Sequence, residues 1–197
     1  MSNFEQAYSR TMGNEGGWVN NPRFDRGGET YKGISRNYWP KWSGWRLIDN
    51  IKAILTKQPD FGTSEYYAWV KHLNSLLASS ISIQNAVADF YRANFWANLG
   101  EINDQRVAEE VFDKRVNCGE IACRWIQRAS GAAADGIIGP ATIAAINAAN
   151  PTLLLVGFND CAQRYYEGII QRDPSQEQFR HAWFARLKNY DETPFVA

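Results

Sequence analysis

Apolar residues recur at three- and four-residue spacing along almost the whole chain, the period of an amphipathic helix rather than of a strand. The pattern predicts helices over residues 2–15, 45–57, 64–79, 81–98, 104–118, 120–130, 140–149, 152–171 and 175–189. Punctuation agrees with it: Thr63 or Ser64 stands ready as an N-cap, Gly119 as a stop, and Pro140 and Pro151 at first turns. Residues 18–34, with Asn20, Asn21 and Pro22 in sequence and Gly27 beside Gly28, break the period and read as a hairpin or extended loop. The predicted fold class is therefore mainly α, with a short β-hairpin or loop after the first helix. Near residues 100–104 an aromatic-rich first half gives way to a second half rich in Ala and Ile. This divides the chain into 1–103 and 104–197, and without a flexible linker the two parts are expected to pack as one compact body.

Charge and composition narrow the function classes. Lys and Arg number 21 and so do Asp and Glu, for a formal net charge of zero. Nucleic acid is not expected as a partner, because binding by counterion release needs a basic face. No apolar run approaches the roughly 20 residues of a membrane span, and the start lacks the pattern of a secretory signal. The expectation is a protein made in the cytoplasm. Three cysteines, Cys118, Cys123 and Cys161, form no disulfide or zinc spacing and read as free, buried thiols. Neither a metal nor an organic cofactor is expected. The sequence contains no nucleophile elbow, phosphate loop, dinucleotide fingerprint or zinc-protease motif.

The first helix carries the chemistry. At about 100° per residue, Phe4, Ala7, Tyr8, Thr11 and Met12 fall within an arc of roughly 140°, and Glu15 projects near its middle. A carboxylate on the core-facing stripe, at the negative end of a helix dipole, is pushed toward its protonated form twice over, by burial and by the dipole. That state suits general acid catalysis of glycosidic cleavage. Asp25 and Thr30 follow among Gly16, Gly17, Gly27, Gly28 and Gly33, whose freedom lets a loop double back and set both residues opposite Glu15. Geometry alone leaves other readings open: Glu15 turned out to solvent or bonded to loop amides, Asp25 as an Asx-turn residue, Thr30 as a strand residue.

The run EGGWVNNPRFDRGGETYKGIS over residues 15–35 resembles the signature of glycoside hydrolase family 108, lysozyme-like muramidases of phages and bacteria. It is also similar to the Glu, Asp, Thr arrangement of phage endolysins, with the Asp here one position later. The resemblance implies a lysozyme-like helical fold. It implies a glycosidase that cleaves the β-1,4 bond between N-acetylmuramic acid and N-acetylglucosamine, with Glu15 as proton donor. Asp25 would activate water or steady the oxocarbenium-like state, and Thr30 would orient that water. By the endolysin likeness the anomeric centre inverts. In the second half, Phe112 and Asp113, the run VNCG (116–119), Trp125 to Gln127 and DGIIGPAT (135–142) resemble the peptidoglycan-binding region that accompanies this family. They bring in Asn117 and Gln127 as substrate-binding candidates. The first part would then be catalytic and the second would bind cell wall.

Four tryptophans, Trp18, Trp39, Trp42 and Trp45, lie within 28 residues of one another. Trp18 and Tyr31 flank the loop beside Glu15 and are expected to line a sugar-binding cleft, where flat amphipathic rings stack on sugar faces. Trp39, Trp42 and Trp45, spaced by three, are expected as one core stripe of a helix. Arg23, Arg26, Lys32 and Arg36 would supply local positive charge to the cleft. Arg115 projects into an apolar arc and is expected to snorkel. The expected partner is the peptidoglycan glycan strand, reached through a pore-forming protein (a holin) that releases a phage or prophage endolysin. The rival readings are a lytic transglycosylase, which needs no Asp25 and leaves 1,6-anhydro ends, and a non-catalytic wall-binding or secretion-accessory protein.

Overall fold

A computed structural model describes residues 1–13, 16–20 and 28–188. Among them are nine α-helices and one small three-stranded sheet, in keeping with a mainly α class. Contacts cluster into two compact units. One comprises residues 8–94, and the other residues 1–7 together with 95–197.

Helix α1 (Phe4–Met12) contributes to both. Phe4, Ala7, Thr11 and Met12 of the projected arc are buried. The described helix ends at Met12 rather than at residue 15. Glu15 and Asp25 lie outside the described residues.

In the 8–94 unit, strands β1 (Trp18–Val19), β2 (Thr30–Tyr31) and β3 (Ile34–Ser35) form an antiparallel sheet in that order. Trp18 pairs with Tyr31 and Val19 with Thr30; Thr30 pairs with Ser35 and Tyr31 with Ile34. The β2–β3 connection has only two residues, Lys32 and Gly33, both at positive φ (49° and 78°). That backbone twist matches the twist of paired strands and suits glycine at the second position. Helices α2 (Gly44–Ala53), α3 (Ser64–Ser79) and α4 (Ile81–Tyr91) pack against one another, with α3 also against β1. Thr63 caps α3, its hydroxyl accepting from the Tyr66 amide at 3.1 Å. Their buried faces hold Trp45, Ile48, Trp69, Leu73, Leu77, Ile83 and Val87.

The predicted helix over 81–98 does not run through. After Tyr91 the chain makes a π-helical turn (Arg92–Trp96) and then a 3₁₀ segment (Ala97–Glu101). Asn94 Nδ2 donates to the Phe90 carbonyl at 2.8 Å, so a side chain takes up an oxygen that the helical ladder would otherwise use.

In the other unit, α5 (Gln105–Cys118), α6 (Glu120–Ser130), α7 (Pro140–Ala148) and α8 (Pro151–Arg172) form a bundle completed by a 3₁₀ segment (Pro174–Phe179) and α9 (Arg180–Lys188). Asp104 caps α5 and Asn150 caps α8 through their side chains, while Pro140 and Pro151 open α7 and α8. Phe4 packs edge-to-face on Trp96 (5.7 Å) and Phe112 (5.9 Å). Arg115 donates to the Phe95 carbonyl at 2.7 Å. Its neighbour Lys114 is wholly buried, paired with the equally buried Glu110 at 2.7 Å and with Asp113 at 3.4 Å. All three cysteines are free; Cys123 is buried, whereas Cys118 and Cys161 are half-buried. Among the described residues no single helix is long and apolar enough to cross a membrane.

Candidate functional site

The hairpin that follows α1 is fixed by side chains from the helices behind it. Asn74 of α3 grips the Trp18 main chain at both ends: its Oδ1 accepts from the Trp18 amide at 2.6 Å and its Nδ2 donates to the Trp18 carbonyl at 3.2 Å. That grip needs Gly17, since a Cβ there would lie 2.5 Å from Asn74 Oδ1. Gly28 meets a similar restriction against Asn37, where a Cβ would lie 2.9 Å from Nδ2, while Gly16 has open space around it. Gly27 lies outside the described residues.

A carboxylate that sequence reasoning passed over holds the sheet together. Glu29, immediately before Thr30, has a side chain only 9% exposed. It accepts from Trp18 Nε1 at 2.6 Å, from Arg36 Nη1 at 2.6 Å and from Lys52 Nζ at 2.9 Å. Burial by itself would raise its carboxyl, but the three donors and the Lys52 charge outweigh burial and hold it below the ordinary glutamate value. Arg36 also forks onto both oxygens of Asp49, and Lys52 lies 5.3 Å from the Trp18 ring centre. Arg36 is thus committed to structural pairs, and Lys32 occupies the tight turn; Arg23 and Arg26 lie outside the described residues. Only a tertiary view finds Glu29, because its partners lie 7 to 23 residues away.

Thr30 is half-buried on β2, and its hydroxyl donates to the Gly28 carbonyl at 3.2 Å. The expectation that Trp18 and Tyr31 line a cleft is corrected by their burial. Trp18 is 0% and Tyr31 1% exposed, so neither offers a ring face to a sugar. Their polar atoms are satisfied inside: Trp18 Nε1 by Glu29, and the Tyr31 hydroxyl by Gln84 Nε2, which donates to it at 2.9 Å. Burial pushes the Tyr31 hydroxyl up, with the Gln84 bond opposing. The single helical stripe expected for Trp39, Trp42 and Trp45 is also revised. Trp39 and Trp42 precede α2, and only Trp45 lies in it. Trp42 and Trp45 are buried edge-to-face at 5.0 Å, while Trp39 remains 39% exposed.

In the other unit, Gln127 is wholly buried and both ends of its carboxamide are bonded. Nε2 donates to Asp135 Oδ1, the Ile137 carbonyl and Thr142 Oγ1 at 2.7, 3.0 and 3.1 Å, and Oε1 accepts from the Gly136 amide at 2.8 Å. Gln127 is therefore the peg on which the 135–142 turn hangs, and its complete burial keeps it from a ligand. Asn117 is exposed on α5, its Nδ2 donating to the Asp113 carbonyl at 2.7 Å.

A short sheet locked onto helices, carrying the 15–35 signature, points to the class of helical glycoside hydrolases. The chain belongs to the glycosyl hydrolase 108 family, which matches residues 8–119. Residues 121–188 match a second family, described as a predicted peptidoglycan domain. Among solved structures, the chain is similar to the one titled "Structure of Brucella abortus SagA". The TM-score is 0.60 and the identity 21%, over 95% of this chain and 90% of that one. At that identity the likeness is one of fold. No curated protein matches the chain at a significant level.

Proposed function

We propose that this chain is a peptidoglycan muramidase that hydrolyses the β-1,4 bond between N-acetylmuramic acid and N-acetylglucosamine. Glu15 is the general acid, Asp25 positions or activates water, and Thr30 assists by orienting that water or the carboxylate. The observation that carries this reading is the glycosyl hydrolase 108 match across residues 8–119, which takes in all three residues. The hairpin supports it physically. Glu29 and Asn74 fix β1 and β2, so that Thr30 is presented from a rigid element, as a positioning hydroxyl requires. The second half, matching the peptidoglycan domain, would hold the polymer. The glycan strand lies outside the cytoplasmic membrane, and release through a pore-forming partner is the route this reading carries. Zymography of medium and spheroplast fractions, with and without such a pore, tests that route.

Turbidity loss of purified sacculi tests the chemistry. Wild type should clear them, and Glu15→Gln should not, with far-UV circular dichroism unchanged. The alkaline limb of the pH–rate profile should fall near about pH 6 to 7, reporting a raised carboxyl. Mass spectrometry should find reducing muramic acid ends. Clearance by Glu15→Gln refutes the acid, and anhydromuramic ends make the enzyme a transglycosylase.

A further inference from the structure

A groove of about 710 Å³ opens on the 8–94 unit, between the segment that leads into α2 and one face of α4. Tyr38, Trp39 and Lys41 stand on one wall, and Asn85, Asp89 and Asn94 on the other. Asn85 and Asp89 are four residues apart and share a helix face, and the π-helical turn carries Asn94 in alongside them. Tyr38 is 70% exposed and Trp39 39%, an unusual placement for two adjacent large rings unless something covers them.

Trp39 is nonetheless held in place. Its ring meets Phe90 edge-on at 4.9 Å and 88°. Its amide donates to the Ser35 carbonyl at 2.8 Å, and its carbonyl accepts from Trp45 Nε1 at 2.8 Å. The groove wall is also tied to the signature hairpin. The Tyr38 amide donates to Ser35 Oγ at 3.4 Å, and Ser35 is the register partner of Thr30. The side chains of Lys41, Asn85 and Asp89 make no hydrogen bond to another described residue.

We propose that this groove is a subsite for the N-acetylated amino-sugar chain of peptidoglycan, with one sugar ring lying on Trp39. The proposal rests on the reading of the chain as a peptidoglycan hydrolase. A pyranose has an apolar face and a polar rim. The groove answers with a fixed aromatic platform below and, at the rim, carboxamides and a carboxylate able to take hydroxyl and acetamide groups. Lys41 suits the lactyl carboxylate of a muramic acid residue. One cation beside one carboxylate argues against a phosphate-rich ligand, and the convergent polar groups argue against a purely apolar peptide. A platform held rigid before binding loses little entropy when the sugar arrives.

The test uses full-length Glu15→Gln protein, which binds without turning over, titrated with N-acetylglucosamine tetramer and followed by tryptophan fluorescence and saturation-transfer NMR. Trp39→Ala should weaken binding about tenfold, Trp39→Phe should restore part of the loss, and Asp89→Ala, an exposed position that leaves the fold intact, should weaken it severalfold. In the otherwise wild-type enzyme, Trp39→Ala should raise the half-saturating concentration of sacculi with little change in kcat. Unchanged affinity in both Trp39→Ala and Asp89→Ala overturns the subsite, as does preferential binding of a free stem tetrapeptide over the sugar tetramer. If Glu15→Gln still clears sacculi while Trp39→Ala loses the tetramer, the hydrolytic reading fails and the subsite stands. If Glu15→Gln is inactive and the tetramer ignores Trp39, the reverse holds.

Discussion

Replacing Glu29 with Gln tests whether the buried carboxylate is what fixes the hairpin. The substitution keeps the shape and one acceptor oxygen, but it removes the charge and points an amide group at Arg36 or Lys52. Arg36 retains Asp49. Lys52, with a side chain 24% exposed, loses the Glu29 carboxylate it holds at 2.9 Å. Breaking a hydrogen bond to a charged group costs about 1.5–3 kcal/mol, and leaving a buried donor unsatisfied costs about 1–3 kcal/mol. Partial exposure of both cations keeps the total below the range for a fully buried pair, so a loss of about 2–3 kcal/mol at pH 7 is expected. For a chain of this length that is a fall in Tm of about 4–12 °C, read by circular dichroism or tryptophan fluorescence. The pH dependence supplies the sharper check. Glu29 sits below its ordinary value of 4.5 in the fold, so the unfolded chain binds the proton more readily. The stabilisation is complete above about pH 4.5 and is lost as pH falls through the lowered value. Glu29→Gln has no such ionisation, and the gap between it and wild type should close on acidification. Equal melting temperatures at pH 7, or a gap that persists at low pH, would refute the reasoning.

Three further outcomes follow from other sites. Gln127→Ala leaves the Gly136 amide and the Asp135 and Thr142 side chains without their shared partner, and should cost about 2–3 kcal/mol in urea unfolding. Lys114→Ala removes the ammonium that the buried Glu110 carboxylate holds at 2.7 Å and should cost about 3–5 kcal/mol, whereas Lys114→Met combined with Glu110→Leu should recover most of that loss by the same measurement. Gly17→Ala forces a methyl group against the Asn74 carboxamide and should lower stability by about 1–3 kcal/mol; Asn74→Ala, which clears the space, should make the two substitutions non-additive in a double-mutant cycle.

How far the sequence speaks for itself differs from element to element. The α1 arc was legible because one face of one helix buries Phe4, Ala7, Thr11 and Met12, and periodicity reports that directly. Thr63, Pro140 and Pro151 were legible because capping is local chemistry. Trp18 and Tyr31 were misplaced for a reason that is equally physical. An indole N–H and a phenol hydroxyl accept burial once each has a partner, and their partners, Glu29 and Gln84, lie 11 and 53 residues away. Spacing does not place Lys114 either. Four residues after Glu110 it reads as a solvated pair on a helix surface, and nothing local reveals that α5 carries that face inward. The helix over 81–98 was overextended because the Asn94 side chain competes with the backbone for a carbonyl, which hydrophobic spacing does not register. Glu15 and Asp25 rest on signature and family alone.

Helix α1 has a consequence for anyone who would cut the protein in two. Phe4 belongs with Trp96 and Phe112, while Tyr8, one turn later, meets Tyr91 at 6.1 Å. The amino terminus thus supplies a wedge to a core made otherwise from residue 95 onward. A fragment starting there would be born with a hole where the wedge belongs, and grafting the 8–94 unit onto another partner requires two splice points instead of one. Any shuffling of such modules must transplant the first seven residues with the far end of the chain, or reinvent them.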